Sequence, residues 1–250
     1  MISETSYRLD LFSQRNILKF VFYSETKVFP MQKTTLTTFL SLMALKSILF
    51  ANELLPDQII KLDGKVSITQ ESDQWLKVTV PFLINQHPDL VKLEGRKPES
   101  IEEMFNPEFI SEIKIRLWIS FMNEFNRSAL RGDKKDVRYF EYFSAEIECL
   151  ALEIDRKTKK AEFLFPSTIA KMMDLGNYPK FTGYVVEFVR NGESFELSNS
   201  INFLSYDKEE YLEKYRMEAT NKSTENEGIL IPAHHINSMY LNNLGPVVRN

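Results

Sequence analysis

The chain has 250 residues but only one cysteine, Cys149, and only eight glycines. A single cysteine excludes an intrachain disulfide, so the fold must gain its stability from the packing of its core. The glycines form neither a GxGxxG nor a GxxxxGK pattern, which excludes the common phosphate-binding loops. Cys149 lies in the alternating stretch SAEIECLAL, and we interpret it as a small buried hydrophobic residue and not as a reactive thiol.

Catalytic signatures are missing as well. There is no GxSxG motif, and the histidines, His87, His234 and His235, lack the CxxC, HExxH or acid spacing of a metal site. Glu146 and Glu148 share one face of a predicted strand, about 7 Å apart, a separation that could serve glycoside chemistry. Such a pair is more often the solvated face of a strand. We therefore predict that the protein is not an enzyme and has no catalytic residues, no cofactor and no metal site.

Acidic side chains outnumber basic ones. The whole chain has a formal net charge of -4, and residues 52–250 carry 25 basic and 32 acidic side chains, a net charge of -7. A negative surface argues against a nucleic-acid partner, because that kind of binding depends largely on neutralising phosphates. Lysine and glutamate are interspersed along the chain, which indicates a solvated surface and not an acidic tail.

The longest hydrophobic stretch starts at an internal methionine, as MQKTTLTTFLSLMALKSILFANE. Lys33 provides a short positive start, Leu36–Phe50 a mostly apolar body and Ala51 a small residue at which a signal peptidase could cut. Lys46 interrupts the apolar body, where a charge is unfavourable in a bilayer. We predict that residues 31–51 are a signal peptide; a retained membrane anchor and a buried amphipathic helix are the alternatives.

Residues 1–30 mix aromatic and charged side chains without a sustained period. We interpret them as an over-long start of the reading frame and expect them to be disordered. If residues 31–51 direct export, the mature protein works in the periplasm or on the cell surface. It would then contact the membrane only through residues 31–51, and only if they are not removed.

Alternation of apolar and polar residues dominates from residue 52 onward and predicts strands over 65–70, 74–84 and 112–122. Pro81 removes a backbone donor from the second of these, so we expect that strand to lie at a sheet edge or to contain a bulge. Each of the two longer strands should have one apolar face. These faces comprise Leu76, Val78, Val80 and Phe82 in the first, and Ile113, Ile115, Leu117, Ile119 and Phe121 in the second.

Residues 138–155 predict either two strands or one bent strand. Their apolar phase shifts by one residue between Cys149 and Leu150, which is typical of a bulge or of a corner between two sheets. Farther along, Asn191 and Gly192 separate two alternating runs. This dipeptide supplies the positive φ angles that a two-residue type I′ turn requires, so a hairpin is predicted there.

Helical signals occur over residues 98–106, 166–176 and 207–217. The first two begin with a proline, and the third should place Tyr211, Leu212 and Tyr215 on one face. Beyond Met217 the chain becomes polar, and we expect a mobile stretch there.

Seven or eight strands separated by turn signals, with few helices, predict a mainly β fold. Its expected form is an immunoglobulin-like β-sandwich with short helical insertions and an N-terminal signal-like helix, and a small barrel is the alternative. With one cysteine, the Cys–Trp–Cys core of antibody domains is absent. We place the sandwich domain at residues 52–205 and assign residues 206–250 to a helix and a C-terminal tail.

Aromatic residues mark the candidate interaction surface. Alternation puts Tyr139 and Phe143 on one face of their strand and Phe140 and Tyr142 on the other. One face must be core, and the other would be covered by a partner or by the C-terminal segment. Trp118 lies on the polar face of its own strand and is either a contact residue or, the interpretation we prefer, a covered aromatic. These five residues are the possible partner surface.

The order of five segments resembles a known group of proteins. The segments are WLKVTVPFLINQHP, NPEFISEIKIRLWISF, YFSAEIECLALEI, AEFLFPSTIA and GYVVEFVRNGE, and they follow the signal-like stretch. This pattern resembles small exported immunoglobulin-like proteins encoded beside type IV pilus genes in Gram-negative bacteria. The resemblance covers roughly residues 60–205 and implies an immunoglobulin-like sandwich, while the C-terminal forty residues have no counterpart.

The expected function is a non-enzymatic, exported, protein-binding sandwich of the cell envelope, for example a type IV pilus accessory or assembly protein. The alternative is a carbohydrate-binding module or a glycan-active envelope protein. That alternative requires exposed aromatics such as Trp118 or Tyr142, arranged as a flat platform.

Overall fold

The computed structural model describes residues 54–72, 74–90, 96–101, 103–129, 131, 139–176, 178–204, 208–237, 239 and 247–248, all within the unit Asn52–Asn250. The predictions for residues 1–30 and 31–51, including the signal-like helix, lie outside the described residues. Within the described ranges, no helix combines the length and the apolar character needed to cross a bilayer.

Strands account for most of the regular structure in these ranges. They are β1 (Ile60–Leu62), β2 (Ser67–Gln70), β3 (Trp75–Ile84), β4 (Phe109–Met122), β5 (Phe140–Glu153), β6 (Lys159–Pro166), β7 (Phe181–Arg190), β8 (Glu193–Phe195), β9 (Ile201–Phe203), β10 (Ile231–Pro232) and β11 (Val247–Val248). The α-helices are α1 (Pro56–Ile59), α2 (Glu124–Ala129), α3 (Ser167–Met172) and α4 (Glu209–Lys222), and short 3-10 helices cover Ser223–Asn226 and Ala233–His235.

The strands form two antiparallel sheets, which confirms the prediction of a mainly β fold. Sheet A has the order β1-β3-β6-β10, with β2 also beside β3. Sheet B has the order β11-β5-β4-β7-β8, with β9 also beside β7. The two sheets are separate, so the architecture is a sandwich and not the small barrel considered above.

The main core lies between the two sheets. Ring centroids of Phe121 and Phe165 are 5.1 Å apart, and those of Phe82 and Phe188 are 5.2 Å apart, so side chains from sheet B interleave with side chains from sheet A. Phe143 contacts Phe165 at 4.7 Å. The two apolar faces predicted from alternation are confirmed, because each of their nine residues is buried.

Pro81 is not at a sheet edge, so that prediction was wrong. It lies in β3, an inner strand, and pairs with Lys160 of β6 without interruption of the register. On its other side, β3 faces the break between β1 and β2, where the Pro81 carbonyl accepts a hydrogen bond from the Asp63 N–H at 3.0 Å. No strand lies beside β3 at that point. The missing N–H of Pro81 therefore leaves no backbone carbonyl without its donor.

The predicted change of apolar phase in β5 is present, and β4 has a matching one. The buried residue of β5 after Cys149 is Leu152, and that of β4 before Ile113 is Ile110. These residues face each other as the pairs Ile113–Cys149 and Ile110–Leu152. Between them Glu112 has a φ of +57°, so both strands turn a different face to the core at the same place.

The hairpin at Asn191 and Gly192 is confirmed. Arg190 pairs with Glu193, and the two turn residues have φ angles of +52° and +83°, as a type I′ turn requires. The helix predicted over 166–176 is present as α3.

The helix predicted over residues 98–106 is absent from the described part of that stretch, so that prediction was wrong. Arg96 instead makes two hydrogen bonds to the carboxylate of Glu103, at 2.8 and 3.1 Å, and the same carboxylate accepts from the Glu99 N–H. The carboxylate of Glu103, one of the acids in the predicted helix, therefore closes a loop.

The C-terminal part of the chain joins both sheets. The helix predicted over 207–217 extends to Lys222, and a 3-10 turn continues to Asn226, so the expectation of a mobile stretch after Met217 was wrong. The segment beyond it contributes β10 to sheet A and β11 to sheet B.

Candidate functional site

Helix α4 packs on the outer face of sheet B. Tyr215 and Ala219 of α4 are fully buried there, and Tyr211 and Leu212 are half-buried. These residues fall on one helical face, as predicted. Beneath them lies a cluster that consists of Met122, Phe140, Tyr142, Val185 and Phe203, with Trp118 at its margin.

Three hydroxyl groups meet in this cluster. The Ser120 Oγ lies 2.6 Å from the Thr182 Oγ1 and 2.7 Å from the Tyr215 hydroxyl, and Thr182 donates to the Ser120 carbonyl at 3.0 Å. Ser120 pairs with Gly183 and Phe121 with Phe181, so Thr182 is the extra residue of a β-bulge. The bulge turns the Thr182 hydroxyl toward Ser120. Burial of the Tyr215 hydroxyl in this cluster raises its pKa.

Most of the residues predicted as a partner surface lie in the interior of the folded chain. Phe140 and Tyr142 are buried beneath α4, and Phe143 is buried in the main core. Trp118 and Tyr139 are half-buried. The sequence left open whether a partner or the C-terminal segment covers the outer aromatics. In the structure, helix α4 of the C-terminal segment covers Phe140 and Tyr142.

Another part of the outer face of sheet B is charged. Arg116 bonds Glu146 at 2.6 Å and Glu187 at 3.3 Å, and Lys114 bonds Glu146 at 3.3 Å and lies 4.0 Å from Glu148. Burial opposes ionisation of Glu146, but the hydrogen bonds from Arg116 and Lys114 outweigh it and hold the pKa of Glu146 below its ordinary value. Glu146 and Glu148 therefore belong to an ion-pair ladder, not to a pair poised for proton transfer.

The histidines do not converge. His87 is buried, stacks on Phe105 with ring centroids 4.2 Å apart, and accepts a hydrogen bond from the Asp89 N–H. His234 is buried, whereas His235, its ring neighbour at 4.4 Å, is exposed. Within the described ranges, no group of three potential metal ligands is found.

Cys149 is buried in the core between the sheets, as predicted. Burial, with a smaller contribution from the charge of Glu148, raises the pKa of its thiol to about 12. A thiol in this state is a packing residue and not a nucleophile.

An exposed group of large apolar side chains lies at one end of the sandwich. Phe125 on α2, Met172 on α3 and Tyr178 before β7 are 66%, 78% and 79% exposed. We call these three residues the end cluster. None of them was predicted, because the three residues are far apart in the sequence and only the fold brings their segments to the same end.

Asn123 and Glu124 hold the three segments of the end cluster together. The Asn123 Nδ2 donates to the Met173 carbonyl at 3.3 Å, and its Oδ1 caps α2 by accepting from the Asn126 N–H at 3.0 Å. Glu124 accepts from Lys180 at 3.3 Å. Each cluster residue is one or two positions from one of these contacts, so the three segments that carry these side chains meet at this end of the sandwich.

Hydrogen bonds also fix the charge state of Glu124. The hydrogen bond from Arg127 is the main cause that lowers the pKa of the Glu124 carboxyl, and the one from Lys180 adds to it. The carboxylate beside the end cluster is therefore ionised at neutral pH and already matched by two cations. The cluster is apolar, and the carboxylate beside it is paired.

A cleft of about 770 Å³ lies at the opposite end of the sandwich. Its walls come from separate segments joined by hydrogen bonds, among them Ser198 N–H to Asp57 at 3.0 Å and Arg156 Nε to the Asn85 carbonyl at 3.4 Å. Lys61 and Glu196 also line it. The cleft carries charges of both signs.

The chain is thus a mainly β protein with two antiparallel sheets, an occupied aromatic face and an exposed apolar end. No protein-family model and no curated protein matches its sequence. Among solved structures, a crystal structure of a protein from Akkermansia muciniphila is similar, with a TM-score of 0.45 and 11% sequence identity. That match covers 76% of this chain and 94% of the other. A TM-score of this size does not assign a function.

Proposed function

We propose that this protein is a non-enzymatic, exported sandwich with an immunoglobulin-like fold that binds another protein of the cell envelope, such as a pilus component. The observation that carries the proposal is the end cluster. Large apolar side chains that are exposed together on a folded domain are typical of protein contact sites. Phenylalanine, tyrosine and methionine are among the residue types that interface centres favour.

The construction of the end cluster supports this role. Asn123 is buried and bonds to α2, to β5 and to the residue after α3. The segment of Tyr178 is held by the Lys180 carbonyl, which accepts from the Met122 N–H at 3.0 Å, so all three side chains stand on segments that are already fixed. A contact surface that needs little ordering on binding loses less conformational entropy. Glu124 is paired with Arg127 and Lys180, so burying this carboxylate would not leave it without a cation.

The state of the polar groups supports a non-enzymatic role. The carboxylates considered for catalysis, Glu146 and Glu148, lie in an ion-pair ladder, and the thiol of Cys149 is buried and protonated. The carbohydrate-binding alternative requires exposed aromatics such as Trp118 or Tyr142 arranged as a flat platform, and these two residues do not form one. Tyr142 is buried and Trp118 packs at the margin of the cluster under α4.

The test compares envelope proteins that are cross-linked to the wild-type chain with those cross-linked to a variant, both expressed in the native host. The variant carries Phe125→Ser, Met172→Ser and Tyr178→Ser. The control carries Met217→Ser and Ile236→Ser, two exposed apolar residues outside the end cluster. We expect one envelope protein to be captured by the wild type and the control and to be lost from the variant, with the thermal midpoint unchanged.

Capture of the same protein by the end-cluster variant would refute the role of the cluster. Failure of the wild type to capture any envelope protein would refute the proposed function. Sequencing of the native amino terminus tests export separately: a mature chain that begins near residue 52 supports it, and a chain that still begins at Met1 contradicts it.

A further inference from the structure

The cleft at the end of the sandwich away from the end cluster has fixed walls. Ile59 and Leu197, which adjoin the lining residues of two segments, are buried in the main core. Hydrogen bonds join these segments to each other and to the residue after β3. The Asp57 carboxylate accepts from the Ser198 N–H at 3.0 Å, and the Asp57 carbonyl accepts from the Asn85 Nδ2 at 3.2 Å. A ligand of this cleft would therefore lose little binding free energy to the ordering of its walls.

Two charged side chains of opposite sign line this cleft without partners. Neither Lys61 nor Glu196 makes an ion pair or a hydrogen bond within the part of the chain that the structure describes. In contrast, Arg116 on the outer face of sheet B is paired with two glutamates. Arg156 adds a second cation to the cleft, because its Nε donates to a backbone carbonyl and its terminal nitrogens carry no described hydrogen bond. The cleft therefore presents positive and negative groups that can each bind a ligand.

Uncharged groups complete the lining of the cleft. Gln58 and Gln86 provide side-chain amides, which offer both donors and acceptors. Leu55, which is 66% exposed, provides an apolar contact. The volume of about 770 Å³ lies within the range of about 300–1,000 Å³ that is common for ligand pockets. Amides, an apolar side chain and charges of both signs together match the backbone, the side chains and the two ends of a short peptide.

We infer that this cleft binds a short peptide that has a free amino group and a free carboxylate. Lys61 and Arg156 would bind the carboxylate, and Glu196 would bind the ammonium group. A ligand with only one charge would leave the unpaired groups of one sign without a counterpart, so a zwitterion is the better match. The inference is independent of the proposed function, because the end cluster lies on other segments at the other end of the sandwich.

Titration of the full chain with trialanine, followed by the NMR shifts of its backbone amides, tests the binding. We expect saturable shifts at the residues that line the cleft, with a millimolar dissociation constant because exposed ion pairs are weak. Acetyl-trialanine and trialanine amide each lack one terminal charge. Each should bind roughly two- to fivefold more weakly, the effect of one lost exposed ion pair. Absence of saturation, or equal binding of the two blocked peptides and trialanine, would overturn the inference.

Variants of the two unpaired side chains test the location of the site. Lys61→Met and Glu196→Gln remove a charge with little change in side-chain size, and each should weaken trialanine binding roughly two- to fivefold. The matched control is Lys65→Met, at an exposed lysine outside the cleft, and it should change nothing. The end-cluster variant should bind trialanine like the wild type, which separates this result from the test of the proposed function. Wild-type affinity in both cleft variants would overturn the inference.

Discussion

Gly183 of β7 lies directly beneath Tyr215 of α4: a β-carbon at position 183 would stand 3.1 Å from the Tyr215 Cζ. It would also meet the backbone of Asn202 and Phe203 in β9. The φ angle of Gly183 is not in the left-handed region, so the glycine is needed for space and not for its backbone conformation. Strand β7 and helix α4, which are distant in sequence, can thus pack closely because residue 183 has no side chain.

The first prediction concerns this contact. Gly183→Ala should destabilise the protein by about 2 kcal/mol or more, because the backbone of β9 cannot move aside as a flexible side chain could. Urea unfolding measures the change in free energy. Gly192→Ala is the comparison, since nothing lies within 4 Å of a β-carbon there and only the positive φ opposes it. A Gly183→Ala variant as stable as the wild type would show that β9 and α4 are not held as described.

The second prediction concerns Asn123. Asn123→Ala should cost about 1–3 kcal/mol, because it removes the cap of α2 and leaves the Met173 carbonyl without its donor. Asn123→Asp keeps the capping oxygen but places a carboxylate near Glu141 and the Met173 carbonyl, so it should not restore stability at pH 7. Denaturant titration of both variants is the measurement. Full stability of the aspartate variant would mean that the donor bonds contribute nothing.

The third prediction concerns pH. Burial lowers the pKa of His234, with a smaller contribution from His235, and neither ring nitrogen of His234 has a hydrogen-bond partner. A histidine whose folded pKa is lowered binds its proton more readily in the unfolded state, where the ordinary value is about 6.5. Its contribution to stability is therefore complete above that value and is lost as the pH falls through it toward the lower, folded value.

Urea midpoints at pH 7.5 and 5.5 measure this effect. We expect the midpoint of the wild type to fall between the two pH values, and His234→Leu to reduce that fall. His235→Leu, at the exposed neighbour, should retain most of it. An equal loss of stability in the wild type and in the His234→Leu variant would assign the pH dependence to another group.

The fourth prediction contrasts two phenylalanines. Phe165→Ala should cost about 3–5 kcal/mol, because Phe165 is fully buried and contacts Phe121 and Phe143 across the core. Phe125→Ala should change the free energy of unfolding by no more than about 0.5 kcal/mol, because its ring lies mostly in solvent. Thermal and chemical unfolding give both values. A large loss at Phe125 would mean that the end cluster is structural and not a contact surface.

Local sequence patterns were sufficient for several parts of the fold. The alternation in β3 and β4 predicted their buried faces, and Asn191–Gly192 predicted the hairpin. These features depend on the geometry of neighbouring residues, which the chain carries locally. The prediction of a helix over 98–106 was wrong for the opposite reason. Glu103 of this stretch pairs with Arg96 and closes a loop, and no local sequence pattern indicates that pairing.

Pro81 shows the same limit. Its effect depends on whether a strand lies beside it, and the break between β1 and β2 is a property of the sheet. The aromatic residues of β5 are a further case. Alternation correctly divided Phe143 from Phe140 and Tyr142, but it could not say what covers the second pair.

The sequence by itself determined that the chain forms strands, which residues of β3 and β4 turn inward and where one hairpin closes, because strand geometry ties each side chain to its neighbours two positions away. Only the tertiary structure decided which aromatics are surface. Tyr215 reaches Ser120 and Gly183 from a distant part of the chain, and Asn123 gathers the segments of the end cluster. Whether a residue on an outer face is buried depends on contacts with segments that are distant in the sequence, and a local pattern does not contain that information.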